Sequence, residues 1–189
     1  MFKGENYMRR NSYLFIIILI LLIGCSMVTG CARGDQPSWG EIGKTMTVRG
    51  VMKGLVSSQY IYYFVFDPDG NILTGPKDNP NTWDNYYVAR YDGGNFYLKK
   101  PNGTQTFIND ASANDTTVTM TINLEELNSP SSIEFMAVTT DIQGNVLDSL
   151  SNYKVLKIQY QRFFSFNDTT GEPGESGADI SRIEVEVQF

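Results

Sequence analysis

The side chains of this sequence that could hold a ligand are mostly aromatic, and they are concentrated in one stretch of the chain. That stretch contains Tyr60, Tyr62, Tyr63, Trp83, Tyr86, Tyr87, Tyr91, Phe96 and Tyr97. Exposed aromatic rings stack on the apolar faces of sugar rings, while neighbouring polar groups bond the hydroxyls. We predict that Trp83, Tyr87 and Tyr91 provide the stacking and that Asp84 and Arg90 provide the polar contacts. The alternative, that the same rings pack the core, stays open.

A second group of side chains could hold a metal ion. Asp67, Asp69 and Asn71 place oxygen-bearing side chains at alternate positions, as at the start of a calcium-binding loop. The match to an EF-hand fails further on, because Ile72 stands where glycine is needed and Asp78 replaces the bidentate glutamate. Turn formation explains the same residues without a metal. We therefore expect no metal or other cofactor, with these three residues as the candidate calcium ligands.

The N-terminal residues have the pattern of an export signal. A basic start is followed by an apolar run over residues 13–23, and two tetrapeptides, LIGC and VTGC, end at Cys25 and Cys31. The apolar run is shorter than the roughly 20 residues that a membrane-spanning helix needs. Both tetrapeptides resemble the lipobox of bacterial lipoproteins. The resemblance implies that acyl chains are attached to the cysteine, that the peptide is cut just before it, and that the protein is anchored on the extracytoplasmic face of a cell membrane.

Either cysteine could carry the lipid. Cys25 directly follows the apolar run and has Leu22 at the third position before it, which such motifs favour. Cys31 is the alternative, because cleavage there would leave no free thiol in an oxidising compartment. We predict lipidation at Cys25, with a signal peptide over residues 1–24 and a polar tether over residues 25–44.

Composition excludes several kinds of function. The 189 residues include no histidine and only two cysteines, and the formal net charge is −6. Serine–histidine catalysis and histidine-containing zinc sites are therefore excluded, as is a thiol nucleophile after residue 31. An acidic surface repels phosphate backbones, so we expect no nucleic-acid partner.

Residues 45–189 read as a succession of short strands separated by turns. The strand patterns lie at 45–53, 60–66, 86–91, 95–98, 105–108, 117–122, 133–140, 153–166 and 183–189, and one helical turn is expected at 124–127. Period-two alternation in several of them is typical of strands with one buried face. The fold prediction is all-β: a single antiparallel β-sandwich, immunoglobulin-like or jelly-roll-like, over residues 45–189.

Two segments carry a resemblance to known extracellular domains. YYFVFDPDGNILTGP at 62–76 and WDNYYVARYDGGNFYL at 83–98 resemble β-sandwiches of the DOMON and family-nine carbohydrate-binding-module kind. The similar layout extends over residues 45–148. Members of these families bind sugars, haem or other ligands, or serve structurally, and the absence of histidine argues against haem here.

These observations favour a non-catalytic binding module over an enzyme. The expected ligand is a glycan or polysaccharide, held by a domain that a lipid anchors to the membrane. The alternative is a structural or assembly lipoprotein that contacts a protein partner. A hydrolase with a pair of carboxylates is a third hypothesis.

Overall fold

Segments in which buried and more exposed side chains alternate form strands, and the strands assemble into two antiparallel sheets. The computed structural model describes residues 44–169 and 174–189. The predicted signal peptide, both cysteines and nearly all of the predicted tether lie outside the described residues. Within them, the structure confirms the predicted all-β sandwich.

The first sheet has five strands in the order β11-β12-β1-β7-β6. Their bounds are β1 Thr45–Met52, β6 Ala111–Asn114, β7 Thr117–Asn123, β11 Phe163–Asn167 and β12 Ile180–Gln188. The alternation in β1, β7 and β12 buries every second side chain, such as Val48, Met120 and Val185. One face of this sheet therefore supplies half of the core.

The second sheet has seven strands. Six of them follow the order β10-β8-β2-β3-β4-β5, and the seventh, β9, pairs with β8 on the same edge as β10. Their bounds are β2 Tyr60–Asp67, β3 Tyr87–Asp92, β4 Asn95–Lys99, β5 Gln105–Phe107, β8 Ile133–Asp141, β9 Val146–Ser149 and β10 Lys154–Leu156. Its inner face contributes large aromatic side chains to the core, including Phe64, Phe66 and Phe135, whose rings lie 5.5–6.1 Å apart in contacting pairs.

The outer face of the seven-stranded sheet is divided into a covered part and an open part. On β8 and β2 the outward-facing Met136, Val138 and Val65 are buried, so the chain covers the sheet there. The long connection between β2 and β3 carries a short 3-10 helix, Pro80–Thr82, and the buried Trp83. Towards β4 and β5 the outer side chains become partly or fully exposed.

Several predicted elements differ from those observed. The expected strand at 153–166 is two strands, β10 and β11, because a turn closed by the Tyr160 N–H and the Lys157 carbonyl separates them. The predicted helical turn is confirmed as a 3-10 helix, Leu124–Leu127. Strands β6 and β9 were not predicted, since both are only four residues long and have no run of aromatic or β-branched residues.

Among the described residues, no helix has the length and apolar character needed to cross a membrane.

Candidate functional site

Four side chains form a row across the open part of the seven-stranded sheet. The register pairs Tyr63 with Arg90, Arg90 with Tyr97, and Tyr97 with Phe107, which joins β2, β3, β4 and β5. Directly paired residues point to the same face of an antiparallel sheet. Their chain neighbours Phe64, Ala89 and Leu98 are buried on the inner face, so the row faces outward. We call these four residues the outer aromatic row.

The members of the outer aromatic row contact each other. The Tyr97 and Phe107 ring centroids are 4.9 Å apart and their planes differ by 38°. The Arg90 guanidinium carbon lies 5.2 Å from the centre of the Tyr97 ring, which is cation–π distance. Phe107 is 66% exposed, while Tyr97 and Arg90 are half-buried. The row therefore ends in an exposed aromatic pair with a cation beside it.

A cavity of about 160 Å³ borders the row. Tyr63, Arg90 and Tyr97 contribute to its walls together with Trp83 and Lys99. The Nε of Arg90 is shielded from solvent and has no hydrogen-bond partner among the described residues. A buried donor without a partner is unfavourable, so this N–H is suited to a ligand oxygen or a water in the cavity.

The charged side chains around the cavity are paired on the surface. Lys99 Nζ lies 3.3 Å from Asp84 Oδ1, and an Arg90 terminal nitrogen lies 3.7 Å from Asp92 Oδ2. The Asp84 side chain is 91% exposed. Exposed pairs of this kind contribute little to stability, so both can exchange partners for a polar ligand at small cost.

Trp83 holds the long β2–β3 connection against the sheet. Its Nε1–H donates to the Lys77 carbonyl at 2.6 Å, and its ring meets the ring of Tyr63 edge-on at 5.1 Å. Trp83 is only 3% exposed, although it lines the cavity. It therefore shapes the wall beside the outer aromatic row and presents little of its ring to solvent.

The structure separates the five side chains that the sequence grouped as a ligand site. Trp83, Asp84 and Arg90 lie on or beside the outer face. Tyr87 and Tyr91 lie on the opposite face of β3, as the alternation predicts. Tyr87 is buried, and its hydroxyl accepts a hydrogen bond from Asn128 Nδ2 at 3.0 Å.

Tyr91 packs into an aromatic group on the inner side of the sheet. Its ring centroid is 4.8 Å from that of Phe96 and 5.9 Å from that of Tyr62. The rings of Tyr87 and Tyr91 thus belong to the packing between the sheets.

The sequence interpretation missed Phe107 and did not assign a role to Tyr97 or Lys99. The signal that places Tyr97 opposite Arg90 is the Gly93–Gly94 turn, where both glycines have positive φ.

A larger cavity of about 520 Å³ lies over the covered part of the same outer face. It is bounded by residues 73–78 and 149–153, with Met136 and Tyr86 among its lining. The Tyr153 hydroxyl donates to the Ile72 carbonyl at 3.1 Å, and its ring lies against Gly75, where a Cβ would come within 2.6 Å. Glycine at 75 is required for this close approach.

Two groups of three carboxylates lie within the described residues. Oxygens of Asp67, Asp69 and Glu134 lie within 4.8 Å of one another, and so do those of Asp148, Asp168 and Asp179. Burial raises the pKa of Asp67 and of Glu134 above the usual range. Asn71, the third predicted calcium ligand, uses its side-chain oxygen to accept from the Leu73 N–H at 3.2 Å, within a run of turns.

The Asp148 group contains a built-in counterion. Lys53 Nζ lies 2.8 Å from Asp179 Oδ1. Asp148 is buried, and its two oxygens accept from the Ile180 N–H at 2.6 Å and the Ser149 N–H at 2.8 Å. Burial raises the pKa of Asp148 to about 6, although these two hydrogen bonds act in the opposite direction.

The chain matches no protein-family model, no curated protein and no solved structure.

Proposed function

We propose that this protein is a membrane-anchored extracytoplasmic lipoprotein whose β-sandwich binds a glycan or polysaccharide without catalysis. The observation that carries this proposal is the contacting pair of the half-buried Tyr97 and the exposed Phe107 at the end of the outer aromatic row, with Arg90 against the Tyr97 ring. Adjacent exposed rings present a continuous apolar surface to the faces of successive sugar units. Residues 45–148 also resemble β-sandwich families of which some members bind sugars.

Polar groups suited to hydroxyls surround this aromatic pair. Arg90 lines the adjoining cavity, and Lys99 and Asp84 provide a donor and an acceptor at its rim. A ligand lying over Phe107 and Tyr97 would place its hydroxyls near these groups. Few polar contacts beside an apolar platform are the usual composition of a small-ligand site.

The predicted lipid anchor fits weak binding of this kind. A small open platform gives low affinity for one saccharide, because little surface is buried. Many anchored copies on one membrane bind a polymer together, and the effective concentration compensates for the weak single contact. We therefore expect a polymeric ligand rather than a free monosaccharide.

The proposal is tested by retention of the full-length protein, in non-ionic detergent, on a panel of insoluble polysaccharides and peptidoglycan. Wild type should be retained on at least one of them. Phe107→Ala should lower the affinity for that polymer by about tenfold, as expected for loss of about 1.4 kcal/mol at a central contact.

Phe163→Ala is the matched control. Phe163 is also an exposed aromatic residue, at 53%, but it lies in the five-stranded sheet. Its substitution should leave retention unchanged. Equal loss in both variants would point to non-specific adhesion. No retention of wild type on any polymer would contradict glycan binding and favour a protein partner at the open edge of β5, which within the described residues pairs only with β4.

A further inference from the structure

The three carboxylates of Asp67, Asp69 and Glu134 form a cluster where β2 pairs with β8. Asp67 is the last residue of β2, and the register pairs it with Glu134 on β8. Both point to the outer face of the sheet, and Asp69 follows in the turn that leaves β2. Oxygens of the three residues lie within 4.8 Å of one another. Three negative charges are thus held close together by the backbone register of the sheet.

Glu134 is the residue that makes this group unusual. It is fully buried, and neither carboxylate oxygen has a hydrogen-bond partner among the described residues. No lysine or arginine in the described part of the chain forms an ion pair with Glu134, Asp67 or Asp69. A buried carboxylate without a partner is strongly unfavourable, so its retention calls for a ligand.

The Asp148 group shows how the same chain compensates for buried carboxylates elsewhere. There, Lys53 provides a cation at 2.8 Å, and backbone N–H groups donate to both oxygens of Asp148. At Glu134 the described residues provide no such cation. Burial raises the pKa of Glu134, and its own backbone N–H lowers it without forming a hydrogen bond of normal geometry with either carboxylate oxygen. A positive ion from solution would supply what Lys53 supplies in the other group.

We propose that Asp67, Asp69 and Glu134 form a Ca²⁺-binding site. Ca²⁺ binds oxygen ligands at about 2.3–2.6 Å, so two oxygens on one ion lie at most about 5 Å apart, which the three carboxylates satisfy. The ligands are all hard oxygens, without histidine or thiolate, which favours Ca²⁺ over transition metals. Water completes the coordination on the exposed side of Asp69.

The site differs from the one that the sequence pattern predicts. The pattern named Asp67, Asp69 and Asn71, which are close in the chain, whereas the decisive ligand here is Glu134 on a neighbouring strand. An ion at this position ties the start of the β2–β3 connection to β8. Because that connection carries Trp83, Ca²⁺ binding would also stabilise the wall beside the outer aromatic row.

The first test is thermal unfolding of the full-length protein in non-ionic detergent, with EDTA or with CaCl₂ up to 5 mM. At 100 times the dissociation constant, Ca²⁺ should raise the Tm by about 5–10 °C. Tb³⁺ is the second probe, because Tyr86 lies near Asp67 and Asp69. Burial is the main cause that raises the pKa of Tyr86, and the charges of these two carboxylates raise it further. Tb³⁺ bound there should show emission sensitised by this ring, and Ca²⁺ should displace it.

Three variants locate the ion. Glu134→Gln keeps the shape of the side chain and should abolish the Ca²⁺-dependent Tm shift and the Tb³⁺ emission. Asp69→Asn, at an exposed position that tolerates substitution, should weaken Ca²⁺ binding at least about tenfold. Asp168→Asn makes the same charge change in the Asp148 group and should leave the response unchanged. A response retained by Glu134→Gln, lost equally in Asp168→Asn, or absent from wild type would overturn the proposal.

Discussion

Asp148 makes the stability of this protein depend on pH between about 4 and 8. The carboxyl group is buried between β8, β9 and the start of β12, and its pKa is raised from 3.8 to about 6. Burial is the main cause, and the charges of Asp168 and Asp179 add to it. In the unfolded chain the group returns to its ordinary pKa. Ionisation of Asp148 is therefore less favourable in the folded protein than in the unfolded chain.

The sign and size of the effect follow from this difference. A group whose pKa is raised on folding contributes its stabilisation below its unfolded pKa, near 3.8, and loses it as the pH rises through about 6. A difference of about 2 pKa units corresponds to about 3 kcal/mol in the free energy of unfolding. Most of this contribution is present at pH 4, and it is absent at pH 8.

The assay compares wild type with Asp148→Asn, because carboxylates remote from Asp148 contribute equally to both proteins and cancel in the difference. Asp168 and Asp179 interact with the charge of Asp148, so their response belongs to the measured effect. Asparagine keeps one acceptor oxygen, so the lost backbone hydrogen bond is an offset that does not vary with pH. Urea unfolding should show that the stability of wild type relative to the variant falls by about 2 kcal/mol from pH 4 to pH 8. A constant difference, or one that increases with pH, would refute the reasoning.

Three further predictions concern single residues. Trp83→Ala should lower the free energy of unfolding by about 3–5 kcal/mol, measured by urea denaturation, because a buried ring and its hydrogen bond are lost; a change below 1 kcal/mol would show that the ring is not an anchor. Tyr87→Phe should cost about 1 kcal/mol and leave polysaccharide retention unchanged, whereas lost retention would place a ligand contact there. Labelling with an alkyne analogue of palmitate should fail in Cys25→Ser and persist in Cys31→Ser; the reverse result would assign the lipid to Cys31.

The fold could be predicted because its strands carry strong local signals. The aromatic and β-branched run at β2 and the alternation in β7 and β12 leave little choice of secondary structure. The two missed strands, β6 and β9, are four residues long, and only pairing with β7 and β8 makes them strands. Tertiary contacts therefore determine that these two segments are strands, and no local sequence pattern predicts it.

The candidate site could be predicted only in part, because a site on a sheet depends on register. Alternation alone separates Arg90 from Tyr87 and Tyr91, but it does not say which face is open. The two-residue Gly93–Gly94 turn fixes Arg90 opposite Tyr97. Phe107 joins them through the pairing of β4 with β5 across residues 100–104. Pro101-Asn102-Gly103 marks a turn there, but the sequence alone does not fix the register that places Phe107 beside Tyr97.

The cluster of Asp67, Asp69 and Glu134 could also be predicted only in part, because one of its members is distant in the sequence. Asp67 and Asp69 are recognisable in the sequence because they are two positions apart. Glu134 is far along the chain, and only the antiparallel pairing of β2 with β8 brings it to Asp67. A sequence pattern that considers neighbours alone selects Asn71 in its place.

Hydroxyl-radical footprinting of the protein, with and without soluble fragments of the polymer that retains it, shows where the ligand binds. This method reports the exposure of individual aromatic side chains. Tyr97 and Phe107 should become protected, while Phe163 and Tyr160, which are 53% and 66% exposed elsewhere on the surface, should remain unchanged. Protection at Phe163 or Tyr160 without protection at Phe107 would contradict binding at the outer aromatic row.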